Sequence, residues 1–353
     1  MDNYHRVVVK VGTKVLTNEE GVLDEAALLR VVNQISKLKE DGYEVTLVSS
    51  GAMGAGKSIF KTSKRLTDVS QKQLFAAVGQ THLMSEYSRL FREHSLLCAQ
   101  VLATKEDFRD RSHFFNMRNC LETLLHDQIV PIVNENDVVS LDELAFTDND
   151  ELAGLVASML NADLLLILSS VDGVLDANGN VVSEIHNQDY DNLRAVITKD
   201  KSEAGRGGMS TKFAVARRAA KEGIEVIIAN GLKDGMMLSI INGEDMGTKF
   251  VPGKRLTSVK RRLAHSDSLT RGKVYINECA VDIMNDNKVA SLLPIGVTSI
   301  EGDFEKGDVI EICDGEGKRV GYGISQYNNN EAQEHISEKN GRALIHYDHM
   351  FIE

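Results

Sequence analysis

The sequence predicts an α/β protein: a mostly parallel sheet covered by helices on both faces, followed by a second, smaller β-rich module. Three observations carry this. Short continuous apolar runs alternate with helical stripes through the first 250 or so residues, as a sheet buried on both faces requires. Composition turns basic and weakly periodic over 254–271. Beyond it come short strand patterns broken by glycine. A chain of 353 residues is long enough for two such units.

The first strand is Val7-Val8-Val9, interrupted by Lys10. Residues 25–40 place apolar side chains at 28, 29, 32, 35 and 38, a helical stripe, with Asp24 as its N-cap and Asp41-Gly42 as its stop. The run 44–50 is a strand that breaks at Gly51. Helix 71–93, strand 96–103 and helix 113–126 follow, then a buried strand at 129–137 that ends in polar residues. A helix over 151–160 and the apolar strand 163–170 come next, then a basic helix at 211–222 and the strand 225–230. The expected units are 1–258, a linker at 259–270 and a module at 271–353, whose strands are KVYIN, VTSIEGDF, KGDVIEICDGEGKRVGYGIS and RALIHYD.

The formal net charge of −12 gives no bulk attraction for nucleic acid or anionic membranes. Cys98, Cys120, Cys279 and Cys313 are far apart and form neither a disulfide framework nor a zinc pattern. No apolar run approaches the ~18 residues that span a bilayer, and the N-terminus enters a strand pattern directly. A cytoplasmic location is expected, without a membrane partner.

In sheets of this kind ligands bind beyond the carboxyl ends of the strands, and here those ends are polar. They are Lys10-Val-Gly12-Thr13, Ser49-Ser50-Gly51-Ala52, Asn134-Glu135-Asn136-Asp137 and Ser169-Ser170, joined by Thr147-Asp148-Asn149-Asp150 before a helix and by 205–212 opening another. Glycines at strand–helix junctions let backbone N–H groups meet an anion, and Lys10 and Lys212 add point charges suited to phosphate. Taken singly, a lysine in an apolar strand usually sits at an edge or snorkels, and Asp150 reads equally well as an N-cap. Residues 51–58 also match G-x-x-x-x-G-K-[ST], so a P-loop NTPase is a rival. Against it, 59–68 has no clean helical stripe, and the two best candidates for a Walker-B strand end in Asn134 and Ser169 rather than in Asp.

Together these segments resemble the amino-acid kinase family over nearly the whole chain. VVVKVGTKVLT, VSSGAMGAG, VNENDVV, TDNDELA and GRGGMSTK occur in the family's order, and the 271–349 tail is similar to a PUA domain. The resemblance implies an αβα sandwich around an eight-stranded, mostly parallel sheet. It also implies ATP-dependent phosphorylation of the γ-carboxylate of L-glutamate to L-glutamyl 5-phosphate, with Mg²⁺ held mainly through the ATP phosphates. Carried over, Lys10 and Lys212 stabilise the transferring group and Asp150 orients them. Ser50, Gly51, Ala52, Asn134, Asp137 and Asn149 bind glutamate. Lys10, Gly12, Ser169, Ser170, Arg206, Gly207, Gly208, Met209, Ser210, Thr211 and Lys212 bind ATP. Ser169-Ser170 departs from the Thr-Asp that the family commonly carries.

A carboxylate is already a nucleophile at pH 7, so the chemistry needs positive charge and positioning rather than a general base. The resemblance further implies proline as feedback inhibitor, a homo-oligomer (dimer or tetramer), and glutamyl phosphate reductase as the functional partner that takes the labile product. A kinase for another small acid, such as acetylglutamate or carbamate, is the nearest rival. An RNA-binding role for the tail is disfavoured, because the eight basic and fifteen acidic residues of 271–353 leave it at −7.

Overall fold

The computed structural model describes residues 4–61, 67–139, 146, 148–190, 193, 208–257, 260, 263, 270–285, 290–338 and 341–352. The chain divides into two compact units, Met1–Arg255 and Leu256–Glu353. Most of the stretch 259–270, expected to be a linker, lies outside the described residues.

In the first unit the strands are β1 (Arg6–Val11), β2 (Glu44–Ser49), β3 (Cys98–Ala103), β4 (Val130–Glu135), β5 (Leu164–Ser169), β6 (Glu184–Ile185), β7 (Glu225–Asn230) and β8 (Thr248–Phe250). They form one eight-stranded sheet in the order β3-β4-β2-β1-β5-β7-β8-β6. The six strands from β3 to β7 run parallel, and β8 reverses direction against β7. From β1 the chain steps one way to β2 and later returns to β5 on the other side. Such a reversal leaves a crevice at the strand ends.

The helices are α1 (Thr13–Leu16), α2 (Glu25–Glu40), α3 (Ala52–Ile59), α4 (Asp68–Glu93), α5 (Lys105–Arg109), α6 (Arg111–His126), α7 (Asn149–Leu160), α8 (Met209–Lys221) and α9 (Met236–Ile241). Side chains alternate across β1 with the period of a strand. Val7, Val9 and Val11 join one core with α2, α4 and α9, whereas Val8 joins the other with α6, α7 and α8. Lys10 therefore points to the side of α7 and α8. The strand is central and Lys10 is 5% exposed, so this lysine neither sits at an edge nor snorkels.

Asp24 caps α2 through bonds from the Ala26 and Ala27 amides, and Gly42 past its end takes a φ of +91°. The rival P-loop reading, already disfavoured, fails at α3. Residues 52–58 of the Walker-like match are helix, not phosphate loop, and the Ala55 amide is bonded to the Gly51 carbonyl. Its glycines serve packing: a Cβ on Gly56 would lie 2.1 Å from the Phe75 carbonyl oxygen of α4. Lys57 is exposed.

The second unit holds β9 (Gly272–Ile276), β10 (Val297–Gly302), β11 (Val309–Cys313), β12 (Arg319–Ile324) and β13 (Met350–Ile352), with α10 (Glu278–Asn285) and α11 (Asn329–Glu334). They form a five-stranded sheet, β10-β9-β11-β12-β13, over its own core of Val274, Ile276, Phe304, Ile310 and Ile312. The segment 342–348, expected as a strand, contributes only a single bridge from Ile345 to Leu292, and the last strand forms just beyond it, from Met350.

Candidate active site

Four elements converge at the crevice: the ends of β1, β2 and β4, and the first turn of α7. The α7 cap is Asp148, whose Oδ1 accepts from the Asp150 and Glu151 amides. That corrects the reading of Asp150 as the N-cap and frees its side chain. Asp150 is fully buried between two lysines, with Lys10 Nζ 2.6 Å from Oδ1 and Lys212 Nζ 2.9 Å from Oδ2.

Packing explains the second contact. One turn beyond Asp150, a Cβ on Gly154 would come within 2.8 Å of Val215 Cγ1, so α7 and α8 approach closely. Lys212, three residues before Val215, is thereby delivered to Asp150. Burial pushes the Asp150 carboxyl up, but the two ammonium groups outweigh it and hold it below its ordinary value. Asp148 goes the other way: burial and the neighbouring Asp150 charge push it up to about 6. Its Oδ2 is buried with no hydrogen-bond partner among the described residues.

The residue before Asp150 faces a different set of groups. Asn149 Nδ2 lies 3.0 Å from Ser50 Oγ and 2.9 Å from Asn134 Oδ1. Gly51, at φ +103°, turns the chain from β2 into α3, and Ala52 is buried at its start. Asp137 lies just past β4, where Lys72 of α4 pairs with it at 2.8 Å. The first turn of α7 thus touches two clusters at adjacent residues, one cationic through Asp150 and one polar through Asn149. A helix N-terminus at this junction also favours negative charge.

The Gly12 amide, expected to face an anion, donates to the Leu168 carbonyl at 3.1 Å instead. Gly12 contributes space, since a Cβ there would crowd Lys10 Nζ at 3.3 Å. Ser169 and Ser170 lie half-buried at the end of β5 beside β7. Two residues on, Asp172 accepts from Asn230 at 3.0 Å and pairs with Lys233 at 2.7 Å. Gly208 begins α8 without a side-chain cap, so Met209, Ser210, Thr211 and Lys212 form its first turn. Arg206 and Gly207 lie outside the described residues.

Three residues at this site were not foreseen, all on α4. Besides Lys72, Gln73 donates to the Val138 carbonyl at 2.9 Å and Gln80 accepts from Asn134 at 2.9 Å. A glutamine next to glycine inside the apolar AAVGQ stretch was the one available signal. Among the described residues, no group of three His, Cys, Asp or Glu side chains could hold a metal ion. None of the helices there is long and apolar enough to cross a membrane.

Residues 5–230 match the model of the amino acid kinase family, and residues 272–346 match the PUA domain. The chain is 44% identical to the glutamate 5-kinase of Bacteroides thetaiotaomicron over 99% of each chain. It is 47% identical to that of Chlorobaculum tepidum, over 99% of this chain and 98% of that one. Among solved structures, a Giardia carbamate kinase superposes with a TM-score of 0.50 at 19% identity, covering 71% of this chain and 99% of that chain. The N-acetylglutamate synthase of Neisseria gonorrhoeae superposes with a TM-score of 0.51 at 16% identity, over 72% of this chain and 61% of that chain. Those two likenesses concern the fold.

Proposed function

The chain belongs to the amino acid kinase family, and from that premise we propose how its crevice phosphorylates the γ-carboxylate of L-glutamate with ATP, the first step of proline biosynthesis. The carrying observation is the first turn of α7, where Asn149 and Asp150 address a polar cluster and a two-lysine cluster side by side.

Transfer needs two anions brought into line. A γ-carboxylate oxygen bonds to the γ-phosphorus as the bond to the ADP oxygen breaks, and no proton need move. Lys10 and Lys212 stabilise the charge on the transferring group, and Asp150 holds their heads. Ser50, Gly51, Ala52, Asn134, Asp137 and Asn149 receive glutamate. Ser169, Ser170 and residues 206–212, with Gly12 giving room, receive the nucleotide.

Mg²⁺ bound with ATP would neutralise charge on its β- and γ-phosphates. The residues fit an ion held mainly through ATP, because both Asp150 oxygens face lysines and Asp148 Oδ2 is the carboxylate oxygen left over. The reading extends to a homo-oligomer, proline as inhibitor, a cytoplasmic location, a tail separable near residue 258, and a reductase that consumes the acyl phosphate.

Asp137→Asn tests the substrate half. It should raise KM for glutamate strongly and leave KM for ATP nearly unchanged, since of the two substrates only glutamate brings an ammonium to the carboxylate that Lys72 otherwise pairs. Equal effects on both substrates would contradict the placement of glutamate.

A further inference from the structure

Helix α4 approaches the crevice at Gly79, where a Cβ would lie 1.8 Å from the Ala52 carbonyl oxygen. Only glycine lets the α4 backbone come this close to the start of α3. The next residue, Gln80, reaches the end of β4, and its Oε1 accepts from Asn134 Nδ2 at 2.9 Å.

Backbone groups dictate the direction of that bond. The Glu135 amide donates to Asn134 Oδ1 at 2.9 Å. A backbone N–H can only donate, so Asn134 must turn its NH₂ toward Gln80, and Gln80 must answer with its carbonyl oxygen. At the other end, Asn149 Nδ2 lies 3.3 Å from the Ser49 carbonyl oxygen, which can only accept. The same NH₂ lies 2.9 Å from Asn134 Oδ1 and 3.0 Å from Ser50 Oγ. Two N–H protons serve these three oxygens, so one is shared; because an amide nitrogen cannot accept, Ser50 Oγ is an acceptor in this contact, which leaves its own proton to donate, and Asn149 Oδ1 remains an acceptor. Three amides in series end on a hydroxyl donor for a carboxylate and a carbonyl acceptor for an ammonium.

The Gln80 Nε2 is buried with no hydrogen-bond partner among the described residues. Such a donor is unfavourable for the fold, so the bonding use of this side chain lies in its carbonyl end. Gln80 also lines a cavity of about 360 Å³ together with Ala52, Asn136 and Asp137.

We propose that Gln80 is a positioning residue for the amino-acid substrate: it holds Asn134, and through it Asn149 and Ser50, in the glutamate-receiving orientation. The inference rests on the glutamate reading above.

Steady-state kinetics on Gln80→Met, similar in size but without the acceptor, test it. KM for glutamate should rise about tenfold, the scale of one hydrogen bond, while KM for ATP and kcat stay within about twofold. Gln80→Asn, one methylene short of Asn134, should show the same split and serves if the methionine variant does not fold. In the double variant with Asn149→Ala, the Gln80 change should add nothing to the KM of Asn149→Ala alone, because both act through one chain of bonds. A merely structural role would lower thermal stability and multiply the two effects. An unchanged KM for glutamate in a folded Gln80 variant, or multiplicative effects, overturns the proposal and leaves the glutamate reading intact. No glutamate-dependent ADP release from the unmodified protein overturns both.

Discussion

Asp150→Asn strikes the cationic cluster at its centre. The Asp150 side chain is fully buried, and those of Lys10 and Lys212 are 6% and 9% exposed. Asparagine carries no charge and presents one oxygen and one NH₂. Whichever lysine meets the NH₂ faces donor to donor, and both lose their counter-charge. Breaking a buried ion pair by removing one partner costs about 3–5 kcal/mol. At roughly 2–4 °C per kcal/mol for a unit of this size, the melting temperature should fall by about 6–20 °C. ATP should restore part of that loss, because its phosphates offer the lysines a new anion. Turnover at saturating substrates should drop about 10²–10³-fold, the scale of losing one preorganised electrostatic group. The assay is ADP release paired with thermal melts with and without ATP. An Asp150→Asn protein with turnover within about threefold and an unchanged melt would refute the reasoning.

Two other variants separate neighbouring features. Lys57→Ala should leave kcat within a few-fold, because Lys57 is exposed on α3 and the glycines around it pack against α4; a dead Lys57→Ala enzyme would revive the P-loop reading. Asp148→Asn keeps a good cap for α7 but removes a carboxyl whose pKa is raised from 3.8 to about 6. A raised acid pKa means that ionisation opposes folding, so the native state is penalised above about pH 6 and the penalty fades as pH falls toward 4. Asp148→Asn should therefore melt higher than the unmodified protein at pH 8, with the gain shrinking between pH 6 and 4. A gain that grew on acidification would contradict the assignment.

The residue types of the crevice were legible because strand ends in a parallel sheet must be polar where a ligand meets them. Their division of labour was less so. Asp148 and Asp150 are two residues apart, and which one caps depends on whether α7 begins at 149 or 151, a difference smaller than helix boundaries can be read from pattern. Lys10 was ambiguous because its meaning turns on whether β1 is central, and strand order is a property of pairing rather than of β1 itself. The Walker-like match arose because helix packing and phosphate loops both require glycine, and the Phe75 carbonyl facing Gly56 is distant in sequence. Lys72, Gln73 and Gln80 lay hidden in a helix whose apolar stripe accounted for it fully; their partners come from β4 and the loop after it.

The most direct measurement is to trap the product with hydroxylamine while following ADP release, with L-glutamate and N-acetyl-L-glutamate offered separately. An acyl phosphate yields a hydroxamate, so the trap reports on the atom that receives the phosphoryl group. Glutamate should give γ-glutamyl hydroxamate in step with ADP. N-acetylglutamate, which lacks a positive nitrogen for Asp137, should give little of either. Efficient hydroxamate formation from N-acetylglutamate and none from glutamate would contradict the glutamate assignment while leaving the two-lysine phosphoryl cluster standing.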